Sequence, residues 1–147
     1  MRACWEICLI IILGAVVHCT VYHISRTKKN WVGAIEYCKC YGMHLAVVDT
    51  AAKQKLIEQA IVGSSIYNKS WTSVWIGAND RAKEGEFVWQ PTGQKVKYSN
   101  WRIKMPDNYL GNENCVHIFY SPGFRFKWND WPCTSKTNVA CEKAKPC

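Results

Sequence analysis

The chain has 147 residues, 19 Lys+Arg against 11 Asp+Glu for a formal charge of +8, 48% hydrophobic residues and 8 tryptophans. That is one domain with a real core, too apolar for a disordered chain and, lacking internal repeats, no solenoid or propeller. The basic residues are scattered, so a solvated basic face is the simplest reading; an acidic glycan or anionic cell surface fits better than nucleic acid.

In chain order, Ile7 to Val17 (ICLIIILGAVV) is apolar behind Met1 and Arg2. It is about half the ~20 residues a membrane span needs. It reads as a secretory signal peptide within residues 1–19, with cleavage after Ala15 or Cys19, leaving a domain over residues 20–147. No second long apolar run follows, so a secreted, extracellular protein without membrane insertion is expected.

Trp31, Ala34, Ile35, Cys38 and Tyr41 recur at helical spacing, and Gly42 stops the run. Leu45 to Val48 is a short apolar segment consistent with a buried strand. Asp49 or Thr50 can cap a second helix from about Ala51 to Val62, with Leu56, Ile57, Ala60 and Ile61 inward. Asn68-Lys69-Ser70 is a glycosylation sequon. The second half reads as short β-type segments at Val74–Gly77, Phe87–Trp89, Val96–Tyr98, Val116–Tyr120 and Val139–Cys141, separated by Gly, Pro, Asn and Asp. Two helices followed by many short strands give an α+β domain.

Cysteine usage agrees with export. Cleavage after Cys19 leaves Cys38, Cys40, Cys115, Cys133, Cys141 and Cys147, an even set suited to a disulfide framework. Six cysteines allow about 15 connectivities, and spacing alone chooses none of them. Zinc is the rival for Cys38-Lys39-Cys40, but this spacing lacks the usual two-residue spacer and no matching half follows.

The stretch from Met105 to Cys115 (MPDNYLGNENC), with Trp128-Asn129-Asp130-Trp131-Pro132-Cys133 further on, concentrates carboxylates and amide carbonyls without histidine. Hard oxygen donors in a flexible shell suit Ca²⁺.

These residues together are similar to the C-type lectin family. The resemblance rests on Trp31-x-x-Ala34-x-x-x-Cys38 with Gly42 and Leu45, Trp75-Ile76-Gly77, Tyr98-Ser99-Asn100-Trp101, Pro106-Asp107, Glu113-Asn114-Cys115, Trp128-Asn129-Asp130 with Cys133, and Ala140-Cys141-Glu142-Lys143. The short secreted form is similar to arthropod immune lectins and to lectins of parasitoid-wasp polydnaviruses, pointing to immune recognition or interference with a host's immunity. The resemblance implies a double-loop α+β fold with two helices, short antiparallel sheets, and bridges Cys38–Cys141 and Cys115–Cys133. A Cys40–Cys147 bridge is inferred from parity and proximity. An unpaired Cys19, Cys40 or Cys147 could instead link two chains.

In sugar-binding members, five side chains hold calcium and two neighbouring sugar hydroxyls complete its shell. The matching positions are Met105, Asp107, Glu113, Asn129 and Asp130, and Pro106 resembles the family's cis-proline. Met105 departs from the Glu or Gln of the family, replacing an oxygen with a thioether that calcium ignores. Asp107 follows the galactose-type pattern, and Tyr109 sits where galactose binders place a stacking aromatic. A weaker second calcium site corresponds to Asp80, Glu84, Asn108 and Asn114; two amides stand where acids are usual, so Asp80 is expected to cap a loop. Trp75, Trp89, Trp101 and Trp128 are expected in the core, and His44 and His117 in core or strand positions, His117 without an acidic or nucleophilic partner. The implied activity is weak, calcium-dependent binding of cell-surface or microbial glycans. A protein ligand is the alternative. A glycosidase acid pair at Asp107 and Glu113 has no further support.

Overall fold

The structure, a computed structural model, describes the backbone at Glu6–Ile7 and over residues 18–146, and side chains over residues 20–143. Most of the expected signal peptide, and Cys147 with it, lie outside the described residues. The strands are β1 (Glu6–Ile7), β2 (His18–Ile24), β3 (His44–Leu45), β4 (Thr72–Asn79), β5 (Val88–Trp89), β6 (Cys115–Ser121), β7 (Phe124–Trp131) and β8 (Asn138–Pro146). The helices are α1 (Trp31–Cys40) and α2 (Ala51–Val62).

Both helices start on side-chain caps that satisfy otherwise orphaned N–H groups. Asn30 Oδ1 accepts from Gly33 N at 2.8 Å, and Thr50 Oγ1 from Lys53 N at 3.2 Å. Gly42, at φ 63°, carries the chain away from α1 in a conformation that costs glycine little. Trp31, Ala34 and Cys38 form the buried face of α1, whereas Tyr41, at the same helical spacing, is 42% exposed. On α2 the buried set is Gln54, Ile57, Ala60 and Ile61.

Strand order is β1-β2-β8-β4-β6-β7, with β3 also on β8 and β5 on β4. β2 and β8 run antiparallel from His18↔Pro146 to Ile24↔Ala140, tying the two ends of the domain together. The expectation of antiparallel sheets needs one correction. β4 and β8 pair in parallel at Val74↔Asn138 and Trp75↔Val139, because the chain between them returns to the same edge in the same direction. The segment expected as a strand at Leu45–Val48 forms ladder only at His44–Leu45, and Val96–Tyr98 forms no strand. Three strands were not anticipated: β1, β2 and β7.

The larger core gathers Ile57 and Ile61 of α2 against Val74, Ile76, Trp89, Val116, Ile118 and Trp128. A second packs Trp31, Leu45 and Trp75 around the cystines. Three core indoles are paired, as burial of a donor requires: Trp31 Nε1 donates to Ile76 O, Trp75 Nε1 to Lys29 O, and Trp128 Nε1 to Gln54 Oε1, each at 2.9 Å. Trp101 is half-buried against the larger core. Gly77 is a site of close approach: a Cβ there would lie 3.2 Å from Ala46 O and from Pro91 Cδ.

Cys38–Cys141 and Cys115–Cys133 are both formed, with sequence separations of 103 and 18. The first joins α1 to the terminal strand. The second closes the segment that contains β6 and β7. Cys40 is an exposed free thiol, so the bridge expected to Cys147 lacks its first partner.

Candidate functional site

The site grows from the way the long connection between β5 and β6 is fastened along β7. Trp128 N donates to Asn100 O and Arg102 N to Trp128 O, both at 2.9 Å. Asn100 Nδ2 donates to Phe126 O at 3.0 Å, and Lys127 Nζ to Asn100 Oδ1 at 2.7 Å. This explains Tyr98-Ser99-Asn100-Trp101 physically. The loop satisfies the open edge of β7 and reaches the 104–114 segment already in register with residues 128–130.

From there the chain folds tightly. Met105–Pro106 is cis, as the resemblance implied, and Lys104, Asn108 and Leu110 have positive φ. Asp130 accepts two backbone N–H groups from this loop, Asp107 N at 3.2 Å and Asn108 N at 2.7 Å. Glu113 Oε2 accepts from Tyr109 N at 3.1 Å, and Asn108 Oδ1 from Glu113 N at 3.0 Å. Each bond ties the loop either to itself or to β7.

The outcome is a cluster of like charges. One carboxylate oxygen from each of Asp107, Glu113 and Asp130 lies within 4.8 Å of the others. Glu113 and Asp130 are buried and Asp107 is exposed. Burial pushes the Glu113 carboxyl above the ordinary carboxylate range; the Tyr109 N–H opposes this, and the charges of Asp130 and Asp107 add to it. Among the described residues no lysine, arginine or histidine forms an ion pair with any of the three. Three carboxylates without a basic partner, in a shell free of nitrogen and sulfur ligands, are a donor set that fits a hard divalent cation.

Asn129 and Asp130 lie on β7, where successive side chains leave opposite faces. Asp130 joins Phe126 and Trp128 on the buried face, and Asn129 is half-buried on the other. The Asn129 amide nitrogen nevertheless reaches round to donate to the Asp130 carbonyl. Tyr109 stands beside the cluster with 65% of its surface exposed.

The expected second site is only partly assembled. Asp80 is buried and caps a loop, as anticipated, with Oδ2 accepting from Gly85 N at 2.8 Å. Its Oδ1 is buried without a partner among the described residues. Asp80 N donates to Asn114 O at 3.2 Å, while Glu84 is exposed and Asn108 Oδ1 is taken by Glu113 N. Burial raises the Asp80 carboxyl, opposed by the Gly85 N–H and reinforced by the charge of Asp130.

Sequence reasoning missed two supports. Gln54 is buried on α2, where its Oε1 accepts from the Trp128 indole N–H and its Nε2 donates to Phe126 O at 3.0 Å, fixing β7 from beneath. His117 does have a partner: Ser73 Oγ lies 2.7 Å from its Nδ1. Burial lowers the ring's pKa to about 3, so it stays neutral. The alternation Ser73-Trp75 with His117-Phe119 was the available signal for this second face of the sheet.

Fold and cluster together define a small disulfide-stapled recognition domain of the lectin type. The chain belongs to the C-type lectin family, as the Lectin C-type domain matches residues 27–143. It is 45% identical over 116 residues to salivary C-type lectin 1 of Aedes albopictus, covering 78% of this chain and 76% of that one. C-type lectin 16 of Aedes aegypti is 44% identical over 117 residues, with the same shares covered. The mouse scavenger receptor C-type lectin carbohydrate-recognition domain superposes with a TM-score of 0.73 at 30% identity, over 87% of this chain and 91% of that one. These relatives are lectins and not enzymes. Among the described residues no helix is long and apolar enough to cross a membrane.

Proposed function

We propose that the protein is a secreted, calcium-dependent carbohydrate-binding lectin whose primary site is Asp107, Glu113, Asn129 and Asp130. The supporting observation is the cluster of three carboxylates within 4.8 Å, which has no cationic partner among the described residues. A bound dication supplies the missing positive charge and a coordination position for paired sugar hydroxyls. The chain's own residues hold the loop: Asp130 through two backbone N–H groups and Glu113 through one. Asp107 and the exposed Tyr109 favour a galactose-type ligand, the ring of Tyr109 offering a stacking face.

Met105 removes one oxygen donor, and with it a charge-assisted bond worth about 1.5–3 kcal/mol, so affinity for a single sugar is weak. Clustering of copies would restore avidity, and Cys19, Cys40 or Cys147 could form the link between chains. Asp80, with Glu84, Asn108 and Asn114, is a weaker second cation site. Its unpartnered Oδ1 favours that reading, while the exposure of Glu84 weighs against it.

Export follows from residues 1–19 read as a signal peptide. Asn68, exposed and with its Oδ1 accepting from Ser70 N at 2.7 Å, is open to glycosylation. An immune role, whether defence or interference, rests on the kind of short lectin this chain resembles. A second reading keeps the fold but replaces the sugar with a protein ligand, and Met105 is the observation that favours it.

The test is a glycan array run with calcium and with EDTA, beside calcium titration calorimetry. Calcium uptake with galactose binding lost in EDTA is the expected result, and no uptake at millimolar calcium rejects the proposal. Uptake without any sugar signal favours the protein-ligand reading. Met105→Gln should raise galactose affinity about tenfold or more, and no gain removes the galactose assignment.

A further inference from the structure

On the outward face of β6 and β7 lies a groove of about 260 Å³. Asn129, Trp131, Trp71, Phe119, Phe124 and Arg102 are among its lining residues. The rings form a near-parallel ladder. Trp131 stacks on His117 at 4.7 Å, His117 on Phe119 at 5.6 Å, and Phe119 on Trp71 at 5.3 Å. Trp71 closes the ladder with 53% of its surface exposed, a large aromatic face left in solvent.

One cation lies in this wall. The Arg102 guanidinium sits 4.4 Å from the Phe124 ring centroid. It forms no ion pair with any described residue, and its Nε is buried without a hydrogen-bond partner. A buried donor left unpaired is costly, and an anionic acceptor is the complement such a group lacks. His117 is neutral, with Nδ1 bound to Ser73 Oγ, leaving Nε2 as the ring's remaining polar atom. The chain's formal charge of +8 also favours an anionic occupant.

We infer that the Trp131–Trp71 groove is a second sugar subsite that takes a carboxylate-bearing saccharide unit, continuous through Asn129 with the cation cluster. This rests on the proposed primary site. The exposed Trp71 ring meets an apolar face of the sugar, Arg102 meets the carboxylate, and Asn129 belongs both to the proposed cation ligands and to the groove lining, so one glycan would occupy both subsites.

The probe is 6′-sialyllactose compared with lactose, titrated calorimetrically into the full chain with calcium. The 6-linkage leaves the neighbouring 3- and 4-hydroxyls of galactose free for the cation. The acidic sugar should bind about tenfold to a hundredfold more tightly, the gain of one charge-assisted hydrogen bond. Arg102→Gln should erase that excess, and Trp71→Ala should reduce it, while lactose affinity is unchanged in both. Equal affinity for the two sugars overturns the subsite and leaves the primary site standing. An excess that survives both substitutions places the anion elsewhere on the basic surface and overturns it too. If neither sugar binds, the primary reading fails and takes the subsite with it. Circular dichroism and melting of each variant separate lost binding from lost folding.

Discussion

Replacing Glu113 with glutamine should have opposite effects with and without calcium. At the 4.8 Å limit of the cluster, two unit charges repel by about 3.5 kcal/mol at an effective dielectric of 20, and by about 1 kcal/mol in water-like surroundings. Glu113→Gln deletes two of these pairs, those to Asp107 and Asp130, and its amide oxygen can still accept the Tyr109 N–H. Because Asp107 is exposed, the water-like figure governs its pair. The two pairs sum to about 4.5 kcal/mol, and the weaker bond from Tyr109 N to a neutral oxygen gives back about 1–1.5 kcal/mol of it. The calcium-free variant should therefore gain about 3 kcal/mol, or about 6–12 °C in Tm for a domain of this size. With calcium at about a thousand times its Kd the parent gains about 4.1 kcal/mol, and the variant should lose most of that. Scanning calorimetry of both proteins in EDTA and in calcium makes the comparison, and their order of melting should invert. A variant that melts below the parent in EDTA, yet keeps the full calcium shift, would refute a cation site at this cluster.

Two further expectations concern the frame of the site. Glu142 is buried, accepts from Val47 N at 3.0 Å and pairs with Lys53 Nζ at 3.1 Å; burial raises its carboxyl pKa, and Lys53 opposes that rise. Lys53→Met should cost about 2–4 kcal/mol near neutrality, since it strands a buried charge. That loss should shrink as pH falls through the raised folded value toward the unfolded one, because the folded state then binds the extra proton; urea titrations at several pH values check the sign. Replacing Cys115 and Cys133 together with serine opens an 18-residue separation, and by loop entropy should cost about 3 kcal/mol. Calcium affinity should fall with it, as calorimetry of the double variant would report, since β6 leads out of the segment that holds Glu113.

Both helices were legible in the residues because their signals are local: a cap, a period near 3.6, and a glycine stop. The donor chemistry was legible too, since carboxylates and amides between cysteines restrict which cation they can hold. The two formed bridges came from family resemblance, because parity left many pairings open. β7 was not legible as a strand. Its polar side chains mimic a loop, and only pairing with β6, together with the Asn100 and Arg102 backbone bonds, gives those groups a ladder.

Tertiary structure alone decided that Asp130 faces the core and Asn129 the outer surface, that Gln54 on α2 holds Trp128 by its indole, and that β4 meets β8 in parallel. It also brought Trp71, Phe119 and Trp131 into one groove. Each of these depends on residues far apart in the chain meeting across a sheet. No local pattern encodes such a meeting, because hydrophobic burial and hydrogen-bond satisfaction are settled over the whole domain at once.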